Sequence, residues 1–244
     1  EATFMSALAF HAPVPKVLCW CDDIEILGYP FALIEYIDGV AITEALPACY
    51  DNIESLNSIG LQLASALGEI ACAPWQELGL ADMGKPDNFL RRQIERWLKV
   101  RDSQPTRALP EIQRIGDWLL ENLPADGPVG IFHGDYHLDN TLCHRDRAEL
   151  LVVIDWEMGT IGDPLADLGL LLMFWGPRSI SPPGFAHVQA ATRREGVISR
   201  RELVKACHKT SGIEPRNLDF YLCFAFWRLA AIVDKVTYDD WLPF

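Results

Sequence analysis

The sequence of 244 residues predicts an α+β fold with a small strand-bearing part, a hinge and a larger, mostly helical lobe. Two strand-like segments lie within the first 37 residues, and helical periodicity dominates from about residue 51 onward. Two short apolar runs with a polar loop between them interrupt the helical part near its middle. We therefore predict that residues 1–37 form the strand-bearing part, residues 38–50 the hinge and linker, and residues 51–244 the helical lobe.

The strand-bearing part begins with residues 2–10, which are apolar enough to be the end of a helix and are followed by a Pro-Val-Pro turn. Residues 16–22 and 31–37 read as strands, because they are rich in apolar and aromatic residues between turn signals. Gly28 and Pro30 mark the turn between these strands. The Asp-Gly pair that follows breaks the second strand and predicts the start of the hinge.

Helical spacing of apolar residues recurs over most of the remaining chain. Asp87 is a candidate N-cap, and Pro110 occupies a first-turn position that helices tolerate. The two apolar runs at residues 129–132 and 150–154 read as strands. The predicted helices cover residues 53–70, 87–100, 110–123, 164–175, 185–194, 199–211 and 218–236.

Composition and charge exclude several classes of protein. The net charge of −13 repels phosphate backbones, so nucleic acid is not an expected partner. No apolar run approaches the roughly 18 residues of a membrane span, so no membrane partner is expected. Seven scattered cysteines and the lack of a secretory signal indicate a cytoplasmic protein. The first residue is not Met, which indicates a chain cut from something longer.

Three polar residues follow the two apolar runs in a pattern that suits phosphoryl transfer. Asp135 comes shortly after the first run, where a loop carboxylate can accept a proton from a hydroxyl. Asn140 and Asp155 supply the oxygen ligands that Mg²⁺ prefers. The D-x-x-x-x-N spacing is that of a kinase catalytic loop. Each residue alone could simply close a turn, but their joint placement favours chemistry.

Three further residues are predicted to support this site. His133 is predicted to form a hydrogen bond with the loop backbone and so to fix the shape of the loop. A catalytic histidine would need a partner that the motif does not show. Asp163 is suited to cap a helix whose first residue is Pro164. Asp167 lies in the first turn of that helix, where it complements the helix dipole and could hold the catalytic loop.

A metal-dependent hydrolase is another interpretation that the residues allow. It takes His133, Asp135, His137 and Asp155 as zinc or di-metal ligands, since imidazole and carboxylate suit zinc. The other histidines form no second cluster in the sequence, and His137 is explained more simply as a loop residue facing solvent or substrate. Phosphoryl transfer remains the favoured hypothesis.

The segments HGDYHLDN, VIDWE and GDPLADLG resemble the signature of the aminoglycoside phosphotransferase-like family of small-molecule kinases. The resemblance is greatest to the kinase-like domain attached to acyl-CoA dehydrogenases, so full-length relatives would be fused or adjacent to such a dehydrogenase. It implies a protein-kinase-like two-lobe fold, ATP with GTP as the open alternative, Mg²⁺ on Asn140 and Asp155, and Asp135 as catalytic base. The Glu35 carbonyl and the Ile37 amide would then bind adenine.

The expected phosphate clamp of a kinase is missing from residues 1–40, which contain two glycines and one lysine. Lys16 reads as an exposed residue at the start of a strand, and Glu1 stands where the family places a helix glutamate. We therefore expect a truncated N-lobe, with the clamping strands upstream. A pseudokinase-like nucleotide- or metabolite-binding module is the alternative that this leaves open.

The acceptor is predicted to be a hydroxylated small molecule whose identity no residue selects. It would lie in a cleft of the larger lobe, facing Asp135. A Trp-rich and acidic set near the C-terminus could line this cleft, although core packing is the favoured role of the tryptophans. The set comprises Trp175, Trp227, Asp234, Asp239, Asp240 and Trp241.

Overall fold

The computed structural model describes residues 1–102, 109–125, 127–180 and 188–240, without the side chains of residues 101, 102 and 234–240. The α-helices are α1 Ala2–Leu8, α2 Ile24–Leu27, α3 Ile53–Cys72, α4 Phe89–Asp102, α5 Pro110–Glu121, α6 Leu165–Phe174, α7 Arg200–Ser211 and α8 Leu218–Asp240. The strands are β1 Val17–Cys21, β2 Phe31–Ile34, β3 Gly39–Val40, β4 Gly130–Phe132, β5 Thr141–His144, β6 Leu150–Val153 and β7 Thr160–Gly162.

The two predicted N-terminal strands form an antiparallel hairpin of β1 and β2. The predicted strand at 31–37 ends early, at Ile34, and the predicted turn contains the short helix α2. Asp23 begins α2 by accepting a hydrogen bond from Glu25 N, a local signal that turn residues alone did not reveal. Lys16 is exposed at the start of β1, as predicted.

Large apolar side chains of this hairpin region lie on the surface. They include Leu18, Trp20, Ile24, Ile26, Leu27, Tyr29, Leu33 and Tyr36, each more than half exposed. This number of exposed large apolar side chains in one short segment is typical of an interaction surface. The hairpin therefore differs from the helical lobe, whose apolar residues are mostly buried.

Two small antiparallel sheets stand at the centre of the chain and carry the predicted catalytic loop. Strand β4 pairs with β7, and β6 pairs with β5, which also pairs with β3. The predicted strands at 129–132 and 150–154 are confirmed. Their partners β5 and β7 were not predicted, and neither was β3, because short strands without alternation give a weak sequence signal.

The helical lobe surrounds these sheets and contains most of the core. Helix α3 packs against α7, and α6 packs against α8. The side chain of Asn52 caps α3 by accepting from Ser55 N, and Ser199 with Glu202 forms a capping box on α7. Helix α6 is buried along its whole length, so it forms the centre of the lobe.

Six of the seven predicted helices of this lobe are confirmed. The seventh, at residues 185–194, is wrong for the part that the structure describes, where only the single 3₁₀ turn Ala190–Thr192 is present. Residues 185–187 lie outside the described part of the chain. Across the described residues, we find no helix with the length and apolar character needed to cross a membrane.

Candidate active site

The loop predicted to be catalytic leaves β4 and turns sharply at Gly134, whose φ is +92°. A side chain at this position would meet Met158, since an ideal Cβ lies 2.7 Å from Met158 Cβ. Glycine is therefore required here both for the backbone angle and for the space. The turn directs Asp135 away from the strand, into the region where β6 ends.

The carboxylate of Asp167 on α6 fixes this turn by accepting hydrogen bonds from its backbone. Its Oδ2 accepts from His133 N at 2.6 Å, and its Oδ1 accepts from Gly134 N at 3.0 Å. The carboxyl group is completely buried, and burial raises the pKa of Asp167 to about 7 against the opposing effect of these two N–H groups. The geometry agrees with the predicted loop-holding position of Asp167.

His133 is buried between the loop and the segment that carries Asp155. Its Nε2 lies 2.9 Å from Ile154 O, and its Nδ1 accepts from Asp135 N at 3.2 Å, which assigns the tautomer protonated on Nε2. Burial lowers the pKa of His133 to about 4, so the ring is neutral near pH 7. Its ring centroid is 4.6 Å from that of Trp156. His133 thus links the two polar segments through backbone groups.

Asp135 is held by its neighbours in the same loop. Asn140 Nδ2 donates to both Asp135 Oδ2 and Asp135 O at 2.9 Å, and His137 Nε2 lies 3.3 Å from Asp135 Oδ2. Burial alone would raise the pKa of Asp135, but His137, Asn140 and the charge of Arg228 outweigh it and lower the pKa. Asp135 is therefore ionised at neutral pH and able to accept a hydrogen bond.

Asp155 reaches the same place because β5 and β6 are paired. Thr141 lies opposite Val153, and Ile154 N donates to Asn140 O at 3.0 Å. Asp155 itself is exposed and has a φ of 65°, a left-handed conformation that aspartate tolerates better than most residues. The structure thus brings Asp135, Asn140 and Asp155 to one site.

The oxygen ligands at this site suit a hard cation. Because Asn140 directs Nδ2 to Asp135, its Oδ1 is the atom that could ligate a metal, and Asp155 offers an exposed carboxylate. Carboxylate oxygens of Glu1, Asp155 and Glu157 lie within 4.8 Å of one another. The group of hard oxygen donors fits Mg²⁺ better than zinc, for which nitrogen and sulfur ligands are typical.

The hydrolase interpretation does not fit this geometry. Both ring nitrogens of His133 are used by backbone groups, so His133 is not available to a metal. His137 is only 11% exposed, and its ring lies 5.4 Å from that of Phe174. His137 therefore does not face solvent, since Phe174 of helix α6 lies against it, and a position facing substrate stays a prediction.

Asp163 caps α6 rather than entering the site. Its Oδ1 accepts from Leu165 N at 3.0 Å, and its Oδ2 accepts from Tyr221 OH at 2.6 Å. Burial raises the pKa of Asp163 to about 6. The capping geometry agrees with the sequence analysis, whereas the bond to Tyr221 depends on the approach of α8.

The two hinge positions predicted to contact adenine lie just after β2. Glu35 N donates to Lys16 O at 2.9 Å, and Glu35 Oε1 accepts from Lys16 N at 2.6 Å. Ile37 O accepts from Gly39 N at 2.9 Å. These bonds use the amide of Glu35 and the carbonyl of Ile37, and not the Glu35 carbonyl or the Ile37 amide that the prediction assigns to adenine.

The aromatic residues predicted to line the acceptor cleft have structural roles instead. Trp175 and Trp227 are buried, and their Nε1 atoms donate to Ile198 O at 2.9 Å and to Ile112 O at 2.8 Å. The core-packing interpretation is correct for both. The other members of that set, Asp234, Asp239, Asp240 and Trp241, have side chains outside the described part of the chain.

Arg228 is a residue of the site that the sequence analysis missed. It projects from α8, is 6% exposed, and its Cζ lies 5.8 Å above the ring of Phe132, the residue before His133. The signal for it is present in the sequence. Arg228 is the only charged residue in the otherwise apolar run of residues 220–233.

Comparisons with known proteins identify the family and the fold of the chain. The phosphotransferase enzyme family matches residues 1–200. Acyl-CoA dehydrogenase family member 10 of Mus musculus is 33% identical over 240 residues, which cover 97% of this chain and 22% of that protein. The chain thus spans about a fifth of the length of this curated relative.

Two solved structures share the fold. A protein from Ralstonia eutropha, provisionally named an aminoglycoside phosphotransferase, has a TM-score of 0.84 and 30% identity, covering 97% of this chain and 72% of that one. An aminoglycoside phosphotransferase from Streptomyces rimosus in complex with ADP and streptomycin has a TM-score of 0.57 and 17% identity, covering 93% and 80%. The chain therefore has a kinase-like fold and belongs to the phosphotransferase enzyme family.

Proposed function

We propose that this chain transfers the γ-phosphate of ATP to a hydroxyl group of a small molecule. The observation that carries the proposal is the contact of Asn140 Nδ2 with Asp135 Oδ2 at 2.9 Å, next to the bond from Ile154 N to Asn140 O. The Asp135 carboxylate, the Asn140 amide and the exposed Asp155 carboxylate are thereby held at one site. Phosphoryl transfer asks the protein mainly for positioning and charge neutralisation, which these groups can supply.

Asp135 is the proposed catalytic base. Its carboxylate would accept the proton of the acceptor hydroxyl as that oxygen forms a bond to phosphorus and the bond to the nucleotide breaks. Asn140 and Asp155 would hold Mg²⁺, which when bound neutralises charge on the nucleotide phosphates. His133 and Asp167 keep the loop in place through the backbone bonds described above.

The nucleotide is proposed to contact the Glu35 carbonyl and the Ile37 amide, with ATP preferred over GTP on the family resemblance alone. The proposed lobe division places residues 1–37 in a small lobe, and the exposed apolar residues of β1 and β2 support a surface that another part of that lobe would cover. We further propose a cytoplasmic location, and fusion or association with an acyl-CoA dehydrogenase, which the name of the mouse relative supports.

Calorimetric titration of the natural full-length protein with Mg²⁺ and ATP tests the proposal. The Asp155→Ala variant should lose Mg²⁺-dependent binding, whereas Asp219→Ala, which removes an exposed carboxylate of α8, should bind as the wild type does. The Asp135→Ala variant should keep nucleotide binding and lose turnover. Absence of binding to the folded wild type would refute the enzyme hypothesis and leave a metabolite-binding module. Tightly retained zinc would favour a hydrolase.

A further inference from the structure

Arg228 is a buried cation without an anionic partner among the described residues. Its Nη2 donates only to Met158 Sδ at 3.6 Å, and its Nε is buried with no hydrogen-bond partner. The ring of Phe132 covers one face of the guanidinium. A thioether and an aromatic face compensate a buried charge poorly, and such groups in native proteins usually have a functional reason.

The carboxylates nearest to Arg228 are already used by other groups. Asp167 accepts from two backbone N–H groups, one on each oxygen. Asp135 Oδ2 accepts from Asn140 and lies beside His137 Nε2. Although the charges of Asp167 and Asp135 act on Arg228, neither carboxylate forms an ion pair with it in the described part of the chain. The guanidinium therefore retains free donors beside the proposed base.

A second cation approaches from α4, which packs against α8. Burial lowers the pKa of Arg228, the charges of Asp167 and Asp135 oppose this effect, and the like charge of Arg96 adds to it. Arg96 is exposed and lines an open cavity of about 620 Å³ together with Arg92 and Lys99. Glu95 also lines this cavity, so three cations and one carboxylate face it.

We propose that Arg228 binds an oxyanion of the acceptor, and that the exposed Arg96 adds positive charge near it. The substrate is then a hydroxylated small molecule that carries a carboxylate or phosphate group. This inference rests on the proposed function and names its substrate class. The planar guanidinium matches the two oxygens of such a group. Arg228 contacts Met158 and Phe132, and both of these side chains lie against Gly134, which directly precedes Asp135, so the bound anion would lie on the side of Asp135.

The test uses inorganic phosphate as the probe, titrated into the natural full-length protein without Mg²⁺ and followed by ³¹P NMR. The wild type should bind phosphate, and Arg228→Met should bind it at least about tenfold more weakly, as expected for loss of a charge-assisted pair. Arg228→Lys should fall between them. The control Arg201→Met removes an exposed arginine of α7 and should bind as the wild type does.

Several results would overturn the proposal. These are no phosphate binding by the wild type, or equal weakening by Arg228→Met and Arg201→Met. If Arg228→Met does not fold, Arg96→Met replaces it, because Arg96 is exposed and its loss should lower phosphate affinity severalfold without unfolding the chain. Unchanged affinity in that variant would also count against the site.

A second titration separates the acceptor from the nucleotide as the source of the anion. Phosphate is added in the presence of Mg²⁺ and a saturating non-hydrolysable ATP analogue. Continued Arg228-dependent binding supports the acceptor site, whereas displacement by the analogue assigns Arg228 to the γ-phosphoryl group and refutes the proposal. Failure of the analogue to bind refutes the proposed phosphotransferase activity instead, and this is seen independently of phosphate.

Discussion

Replacing Gly134 with alanine tests whether the catalytic loop depends on close contact between two segments. Gly134 has a φ of +92°, and its added Cβ would lie 2.7 Å from Met158 Cβ and 3.0 Å from Met158 O. The backbone angle costs about 1–2 kcal/mol for an alanine. Crowding in a packed site adds about 1–3 kcal/mol. We expect a total loss in unfolding free energy of about 2–5 kcal/mol from these two effects.

Gly212 supplies the matched control for this variant. It ends α7 with a φ of +69°, and nothing lies within 4 Å of its added Cβ, so Gly212→Ala should cost the backbone strain alone. Urea denaturation and thermal denaturation, both followed by circular dichroism, measure the unfolding free energy and the melting temperature of both variants. The melting temperature of Gly134→Ala should fall by about 4–20 °C, using 2–4 °C per kcal/mol for a domain of this size.

The comparison between the two variants decides the argument. The excess loss in Gly134→Ala over Gly212→Ala reports the crowding against Met158. Equal losses would refute the close approach of the loop to Met158, and with it the geometry that places Asp135 beside Asp155. Because Asp135 follows Gly134 directly, nucleotide turnover should also fall in Gly134→Ala, and Gly212→Ala should keep it.

Three further variants give separate tests. Asp155→Asn should keep the stability of the fold, because asparagine tolerates the positive φ, yet lose Mg²⁺-dependent nucleotide binding in calorimetry; retained binding would contradict its role as ligand. The pKa of Asp163 is raised to about 6 from 3.8, so its contribution to stability is present below pH 4 and lost as pH rises through 6. The stability advantage of wild type over Asp163→Asn should therefore shrink by about 2–3 kcal/mol from pH 4 to 7 in urea titrations, and a constant difference would refute this. Tyr136→Phe removes the hydroxyl that donates to Leu63 O at 2.7 Å and should cost about 1 kcal/mol by the same assay; no loss would contradict that anchor.

Much of the helical lobe could be predicted because its signals are local. The apolar spacing of α3 and the capping residues of α7 determine those helices within a few neighbouring residues. The strand at 31–37 was predicted too long and β5 was not predicted, because a short strand is stabilised by its partner rather than by its own sequence. The helix at 185–194 was wrong for residues 188–194, where apolar residues are present without caps.

The sequence by itself determined which side chains could do chemistry, since Asp135, Asn140 and Asp155 carry their spacing and residue types in the primary structure. Only the tertiary structure decided how they meet. The pairing of Thr141 with Val153 aligns two segments that are separate along the chain. Long-range contacts of this kind depend on packing and burial, which sequence patterns do not specify.

Long-range contacts also explain why the contacts of Asp167 and Arg228 at the site could not be predicted from the sequence. Asp167 could be suspected as a support, but its two bonds to the loop require α6 to lie directly beneath β4. Arg228 carries one local signal, its isolation in an apolar helix, and that signal does not say what it faces. Its contacts with Met158 and Phe132 follow from the packing of α8 against α6, which no local sequence pattern specifies.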